Sequence, residues 1–222
     1  GNDSLAGGED SDNLDGGAGA DALSGGSGMD RLTYSSRTNA VSVTPDGAAN
    51  DGEAAEGDNV AADIESLEGG AGNDTLVASA ADSNINGNAG DDTITGGAGE
   101  DSLSGDRGND TIDGGAGDDR LYGGVGDDTL RGGAGRDDLN GDAGKDVLDG
   151  GVDGDRLDGG TGTDAIDGGS GRDQVSYYYE SEVGQGVTIA LDGSAPSGRP
   201  GENDTLANME DAYGGNGDDL IY

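Results

Sequence analysis

Residues 96–131 read GGAGEDSLS, GDRGNDTID, GGAGDDRLY and GGVGDDTLR, four blocks of nine residues that follow one pattern. Each block begins with glycine, carries aspartate at position six and carries an aliphatic residue at position eight. Twelve such blocks run without interruption from Gly69 to Ser176, and shorter runs lie nearer both ends of the chain. This period is the strongest signal in the sequence, because repeats of fixed length build elongated folds from stacked units.

Three columns of the pattern are nearly constant over the twelve blocks. Position eight is aliphatic in all twelve, and positions one and six are glycine and aspartate in eleven each. Both exceptions, Ala78 and Ser83, fall in block 78–86. A glycine-rich, aspartate-rich chain is often a flexible linker, but a linker does not require an aliphatic residue at every ninth place. The columns therefore indicate a folded array.

The spacing predicts short strands joined by turns. A triplet centred on position eight, such as residues 93–95, predicts a strand with one side chain inward and two outward. The six residues before it predict a turn in which glycines allow positive φ. Two blocks then make one coil of eighteen residues, and stacked coils give two parallel sheets.

Composition restricts what the chain can bind. Asp and Glu number 48 against 10 Lys and Arg, for a net charge of −38, and neither Phe nor Trp is present. So acidic a chain repels itself unless cations bind it, and it lacks the basic surface that nucleic acids require. Without Cys or His, disulfides and the usual zinc or copper sites are excluded. Oxygen ligands remain, and these suit hard cations such as calcium.

The pattern GGxGxDxUx, in which U is aliphatic, resembles the RTX (repeats-in-toxin) family, the haemolysin-type calcium-binding repeats. The resemblance implies an all-β, right-handed parallel β-roll that holds multiple Ca²⁺ ions. Each ion would lie between two turns stacked on one edge, with position-six carboxylates and turn carbonyls as ligands. The carboxylates implied as metal ligands are Asp3, Asp12, Asp21, Asp30, Asp74, Asp92, Asp101, Asp110, Asp119, Asp128, Asp137, Asp146, Asp155, Asp164, Asp173 and Asp219.

Two blocks depart from the pattern. Block 78–86 reads ASAADSNIN, which lacks the glycines and the aspartate but keeps Ile85. We expect it to stay in the stack with weak or empty sites. Block 150–158 has Asp153 and Gly154 exchanged relative to the pattern, which puts its turn geometry in doubt.

The period also defines the organisation of the chain. We expect N-terminal repeats over 1–33, a first insert over 34–68, the main β-roll over 69–176, a second insert over 177–213 and a restart of the repeats over 214–222. Because the chain begins and ends inside a repeat and shows no signal peptide, we expect a segment of a longer protein. No stretch is apolar and long enough to span a membrane.

The two inserts resemble each other. VSVTPDG at 41–47 matches VTIALDG at 187–193, and Asp63-Ile64-Glu65 matches Asn208-Met209-Glu210. Alternating aliphatic residues predict strands, so we interpret the inserts as duplicated β-hairpins that leave the roll and rejoin it. Five tyrosines lie at or in these segments: Tyr34, Tyr177, Tyr178, Tyr179 and Tyr213. They predict either a capping or spacing role or a surface for self-association or a cell-surface partner.

The sequence favours two kinds of function. The common catalytic triads and dyads need His or Cys, so we expect no enzyme activity. The first interpretation is a calcium-dependent structural element of an extracellular adhesin, surface layer or filament. The alternative is a calcium-driven folding and secretion module of a larger enzyme or toxin. Members of the family are typically secreted by the bacterial type I route, so both interpretations imply an extracellular protein.

Overall fold

The computed structural model describes residues 1–79, 82–177, 186–215 and 218–222, and these residues form strands and turns. None of them belongs to a helix, so the described part of the chain offers no membrane-spanning helix. Successive strands alternate between two long sheets, and strands within a sheet run parallel outside the inserts. The fold is therefore a parallel β-solenoid of about nine turns, as the sequence predicted.

The strands divide into two long sheets and one short one. The first sheet has 12 strands in the order β1 (Ser4–Glu9), β3 (Ala22–Ser27), β7 (Asp58–Val60), β6 (Ala49–Glu53), β5 (Val41–Val43), β9 (Thr75–Val77), β11 (Thr93–Ala98), β13 (Thr111–Ala116), β15 (Thr129–Ala134), β17 (Val147–Val152), β20 (Ala165–Ser170) and β23 (Thr205–Ala207). The second follows the order β2 (Asn13–Leu14), β4 (Arg31–Thr33), β8 (Ser66–Glu68), β10 (Asn84–Asn86), β12 (Ser102–Arg107), β14 (Arg120–Val125), β16 (Asp138–Gly144), β18 (Arg156–Asp158), β21 (Gln174–Ser176) and β24 (Asp211–Tyr213), with β19 (Thr161–Gly162) also beside β16. The short sheet pairs β22 (Thr188–Ile189) with β25 (Leu220–Ile221).

Most strands of the main array are longer than predicted, although β9, β10, β18 and β21 have the predicted three residues. Strand β13 covers six residues, and its register with β15 pairs Thr111 with Thr129 and then Gly115 with Gly133. The prediction of a three-residue strand followed by a six-residue turn was therefore wrong for most blocks. The glycine-rich half of these blocks forms a second stretch of ladder, because hydrogen bonds to identical neighbouring coils do not depend on side chains. Only three residues, 117–119, separate β13 from β14.

The core is a pair of aliphatic ladders between the two sheets. In the first sheet Ile112 is in register with Leu130, and in the second Leu103 is in register with Leu121. These side chains are at most 1% exposed. Each nine-residue block contributes one large apolar side chain, so the core is narrow, and most of the remaining interior positions are aspartates and glycines. Apolar burial in this core is small for the length of chain that it orders.

Both irregular blocks remain in the stack. Strand β10 keeps Ile85 buried between β8 and β12, as predicted, although residues 80–81 of its block lie outside the described residues. In block 150–158, Asp153 has a φ of 75° and takes the left-handed conformation that Gly135 (φ 128°) takes one coil earlier. Aspartate tolerates this conformation better than most residues. The exchange of Asp153 and Gly154 therefore leaves the turn in place.

The segments predicted to leave the roll are built into it. In the first, β5 and β6 form an antiparallel hairpin that lies within the first sheet, while β7 and β8 stack directly on β3 and β4. In the second, β23 and β24 stack on β20 and β21 in the same way. Strand β22 pairs with β25 as β5 pairs with β9. The predicted hairpin exists in the first segment, but it is part of the sheet and does not project from it.

Candidate metal centre

The turns bring the predicted aspartates into two columns, one along each edge of the roll. Within a column the main-chain N–H of one aspartate donates to Oδ1 of the aspartate eighteen residues later, as Asp92 does to Asp110 at 2.7 Å. These hydrogen bonds measure 2.7–2.9 Å. The first column contains Asp3, Asp21, Asp74, Asp92, Asp110, Asp128, Asp146 and Asp164, and the second contains Asp12, Asp30, Asp101, Asp119, Asp137, Asp155 and Asp173.

The second carboxylate oxygen of most column members has no partner. Oδ2 is buried without a hydrogen-bond donor from the described residues in Asp12, Asp21, Asp30, Asp92, Asp101, Asp110, Asp119, Asp128, Asp137, Asp146, Asp155, Asp164 and Asp173. All of these except Asp12 are at most 3% exposed. A buried polar atom without a partner is costly and rare in proteins. A regular series of them indicates that something outside the chain satisfies these oxygens.

The glycine at position one opens a space in front of each unpaired oxygen. A methyl group added at Gly96 would lie 2.5 Å from Oδ2 of Asp101 and 2.5 Å from the carbonyl oxygen of Gly114. The same arrangement recurs at Gly150, with 2.6 Å to Oδ2 of Asp155 and 2.7 Å to the carbonyl oxygen of the next coil. Any larger residue would collide with these oxygens. Position one is therefore glycine because the space is bounded by a carboxylate and a carbonyl.

Burial of the columns changes the acidity of the carboxyl groups. Desolvation is the largest cause that raises the pKa of Asp110 and of Asp146 to about 7, and neighbouring column carboxylates add to it. The N–H bond to Oδ1 opposes the shift without cancelling it. The pKa rises to about 6 for Asp92, Asp101, Asp137, Asp155 and Asp164. At neutral pH the columns therefore hold buried negative charge that the chain itself does not neutralise.

The donor set fits calcium. Every candidate ligand is a carboxylate or carbonyl oxygen, which is the chemistry that Ca²⁺ binds and that zinc or copper do not prefer. No three acidic side chains of the described residues converge on one point, so main-chain carbonyls or water would complete any coordination shell. The column aspartates would hold the ion, and the ion would supply positive charge between stacked turns. The individual ligands remain a prediction.

Three of the predicted aspartates and one serine differ from the rest. Asp3 is exposed at the start of the first column, whereas Asp219 is half-buried beside the short sheet and accepts the N–H of Val187 at 3.1 Å. Asp74 has both oxygens satisfied, since Oδ1 accepts the N–H of Val41 at 2.8 Å and Oδ2 accepts that of Gly70 at 2.7 Å. Ser83 takes an aspartate's place in the second column and still donates its N–H to Asp101 at 2.8 Å. At this position the second column therefore lacks a carboxylate.

Each insert adds to the columns acidic residues that the period did not reveal. Oδ1 of Asp58 accepts the N–H of Asp21 at 2.9 Å, and Oε2 of Glu65 accepts that of Asp30 at 3.0 Å. In the second insert Asp204 and Glu210 take the same roles. These residues lie 35–40 positions after their partners, so the nine-residue frame misses them. An acidic residue two positions before an aliphatic one, as in Asp58-Asn59-Val60, is the signal that finds most of them.

Comparison with known proteins agrees with this geometry. The sequence model of the RTX calcium-binding nonapeptide repeat matches residues 1–32, 68–103, 95–130, 122–157 and 140–175, which together are more than half of the chain. A search of curated proteins gives no significant match. The matched ranges contain every aspartate with an unpaired Oδ2. The chain belongs to the RTX calcium-binding nonapeptide repeat family, and its repeats bind calcium in a β-roll.

Proposed function

We propose that this β-roll folds when it binds calcium and then serves as a structural element of an extracellular adhesin, surface layer or filament. The observation that supports this is the two columns of buried carboxylates with unpaired oxygens. Because the columns follow both edges over most of the roll, the ions belong to the framework and not to one local site. We also propose that the chain is not itself an enzyme.

Calcium supply would decide where the roll folds. Extracellular calcium modules commonly bind with Kd values of about 10⁻⁴–10⁻³ M, so such sites load outside the cell and stay empty where free calcium is low. A chain of net charge −38 without bound cations favours an expanded state. RTX repeats are typical of type I-secreted proteins. These points support an extracellular location and folding after export.

The same points support the alternative function. A chain that stays unfolded until it meets external calcium suits a folding and secretion module attached to a type I-secreted enzyme or toxin. In that case the columns would act as a switch for folding, and the mechanical continuity of the roll would be incidental.

Self-association or binding to a cell-surface partner through the inserts is part of the structural proposal. Tyr34 and Tyr177 are buried, so they cannot form the outer face of such a surface. Tyr213 is 47% exposed. Tyr178 and Tyr179, which the sequence also placed there, lie outside the described residues.

A calcium titration followed by far-UV circular dichroism tests the folding step. We expect a cooperative change from coil to β-structure in calcium, and none at equal concentrations of magnesium, which prefers a rigid octahedral shell. A spectrum that is already fully β in chelator would refute calcium-driven folding.

Localisation in producing cells separates the two roles. A structural element should be accessible to antibody on intact cells and should be lost from them when a chelator unfolds the roll. Recovery of the chain only in the culture medium, together with a catalytic activity, would favour the secretion module.

A further inference from the structure

Each insert contains a buried tyrosine whose hydroxyl donates to a column aspartate. The Tyr34 hydroxyl donates to Oδ2 of Asp58 at 2.9 Å, and the Tyr177 hydroxyl donates to Oδ2 of Asp204 at 3.0 Å. All four residues are at most 4% exposed. The two pairs therefore repeat the same contact in two places far apart in the sequence.

Asp58 and Asp204 share the Oδ1 contact of the first column, although the N–H of Asp204 donates to the carbonyl of Ser197 and not to another column carboxylate. Oδ1 of Asp58 accepts the N–H of Asp21 at 2.9 Å, and Oδ1 of Asp204 accepts the N–H of Asp164 at 2.9 Å. The difference lies at Oδ2. In most repeat aspartates this oxygen is buried without a hydrogen-bond donor from the described residues. In the inserts a hydroxyl of the chain satisfies the oxygen for which the repeats require a cation.

The surroundings of the two carboxylates are also repeated, since each has a glutamate of its own insert beside it. A methyl group added at Gly52 would lie 2.7 Å from Oδ2 of Asp58 and 3.2 Å from Oε2 of Glu56. In a repeat, a main-chain carbonyl takes the place of this glutamate. Gly198 faces Asp204 and Glu202 in the same manner. In the first insert the guanidinium of Arg37 lies 3.3 Å from Glu56 and supplies positive charge.

The hydroxyl is a permanent donor. Burial is the largest cause that raises the pKa of Tyr34 and Tyr177 far above the usual range, and the adjacent carboxylates raise it further. Both hydroxyls therefore stay protonated at physiological pH. Unlike calcium, they are covalently part of the chain, so their presence does not depend on the ion concentration.

We propose that Tyr34 and Tyr177 take the place of a calcium ion on Asp58 and Asp204, so that the coils containing β7 and β23 order without calcium. These two coils are then templates on which the calcium-dependent coils stack when the ion arrives. The proposal uses only the binding of calcium by the repeats and is independent of an adhesive or secretory role.

Hydrogen exchange of the full chain in excess chelator at pH 7.5 tests the proposal. In the wild type we expect amides of β7 and β23 to exchange at least tenfold more slowly than amides of β13, β15 and β17. Tyr34→Phe should reduce protection of residues 41–67 by about 10- to 100-fold, the effect of removing a buried hydrogen bond to a charged group. Residues 187–213 should be unaffected, and Tyr177→Phe should show the reverse.

Tyr122→Phe is the matched control, because Tyr122 is 39% exposed on a repeat strand and the chemical change is identical. It should leave exchange in both inserts unchanged. In saturating calcium each variant should give the wild-type circular dichroism spectrum, which establishes that it can fold. Equal exchange of β7, β23 and the repeat strands in wild-type chelated protein overturns the proposal, and so does an unaltered first insert in Tyr34→Phe. The wild-type comparison is decisive even where a variant fails to fold.

Discussion

Replacement of Asp92 by asparagine should change stability in opposite directions with and without calcium. Asp92 is 1% exposed, its Oδ1 accepts the N–H of Asp74 at 2.7 Å, and its Oδ2 has no hydrogen-bond donor in the described part of the chain. Asparagine keeps an oxygen for the first contact but removes the charge. Burial, the largest cause, raises the pKa of Asp92 to about 6. At pH 7.5 the carboxylate is ionised in both folded and unfolded chains, so the folded state bears the full free-energy cost of burying the charge.

The raised pKa sets the magnitude of the effect. From an ordinary 3.8 to about 6, it corresponds to about 3 kcal/mol by which burial of the ionised carboxylate opposes folding. Asp92→Asn should remove up to this amount without calcium. With calcium the variant lacks a charged ligand, so the midpoint of calcium-induced folding should rise by roughly tenfold or more.

The assay measures two folding midpoints by circular dichroism. In chelator, folding is driven by trimethylamine oxide, which favours burial of surface, and Asp92→Asn should need less of it than the wild type. In the calcium titration the variant should need more calcium. Asp91→Asn is the matched control, because Asn73 and Asn109 occupy the same position on the neighbouring coils and accept the same N–H bond. A shift of the same sign in both assays, or equal shifts for Asp91→Asn, would refute the reasoning.

Three further predictions follow from the columns and the core. Since burial raises the pKa of Asp110 and Asp146 to about 7, the folded calcium-free chain binds more protons than the unfolded one and should gain β-structure as pH falls from 7.5 to 5. Circular dichroism in chelator measures this gain of β-structure. If salt alone induces the same folding at pH 7.5, the cause is general repulsion between charges and not protonation of these two carboxyl groups. Gly114→Ala would place a methyl group 2.5 Å from Oδ2 of Asp119, so calorimetry should detect fewer bound calcium ions, and an unchanged number would contradict the assigned space. Leu121→Ala removes a fully buried side chain and should lower the stability of the calcium-loaded roll by about 2–5 kcal/mol in urea unfolding, whereas a loss below 1 kcal/mol would show that the aliphatic ladder is dispensable.

The repeat columns made the solenoid predictable from the sequence. An aliphatic residue at position eight, as in Ile112 and Leu130, fixes which side chain faces inward, and eighteen residues per coil fixes which strands are neighbours. Strand length was not predictable in the same way. Residues such as Gly115 have weak strand propensity and enter the ladder because an identical residue, Gly133, lies beside them.

The inserts show which contacts the nine-residue period could not predict. Asp58 and Asp204 accept the N–H bonds of Asp21 and Asp164 in the first column, yet the chain reaches them after 37 and 40 residues instead of eighteen. No local pattern states that Tyr34 or Tyr177 will meet these carboxylates, because the contact joins residues brought together only by the stacked coils. The duplication of the inserts was visible in the sequence, but the tyrosine–aspartate contacts that the two inserts share could be found only in the three-dimensional structure.

The alternation of blocks between two sheets also restricts how such a chain can change length in evolution. Each column bond joins residues eighteen positions apart. Loss of one nine-residue block would transfer every later strand to the opposite sheet. If block 114–122 were lost, for example, Thr129 would stack on Ser102, which now pairs with Arg120, instead of on Thr111. Gain or loss of two blocks preserves every neighbour. Natural length variants of this array should therefore differ by whole coils, in steps of eighteen residues.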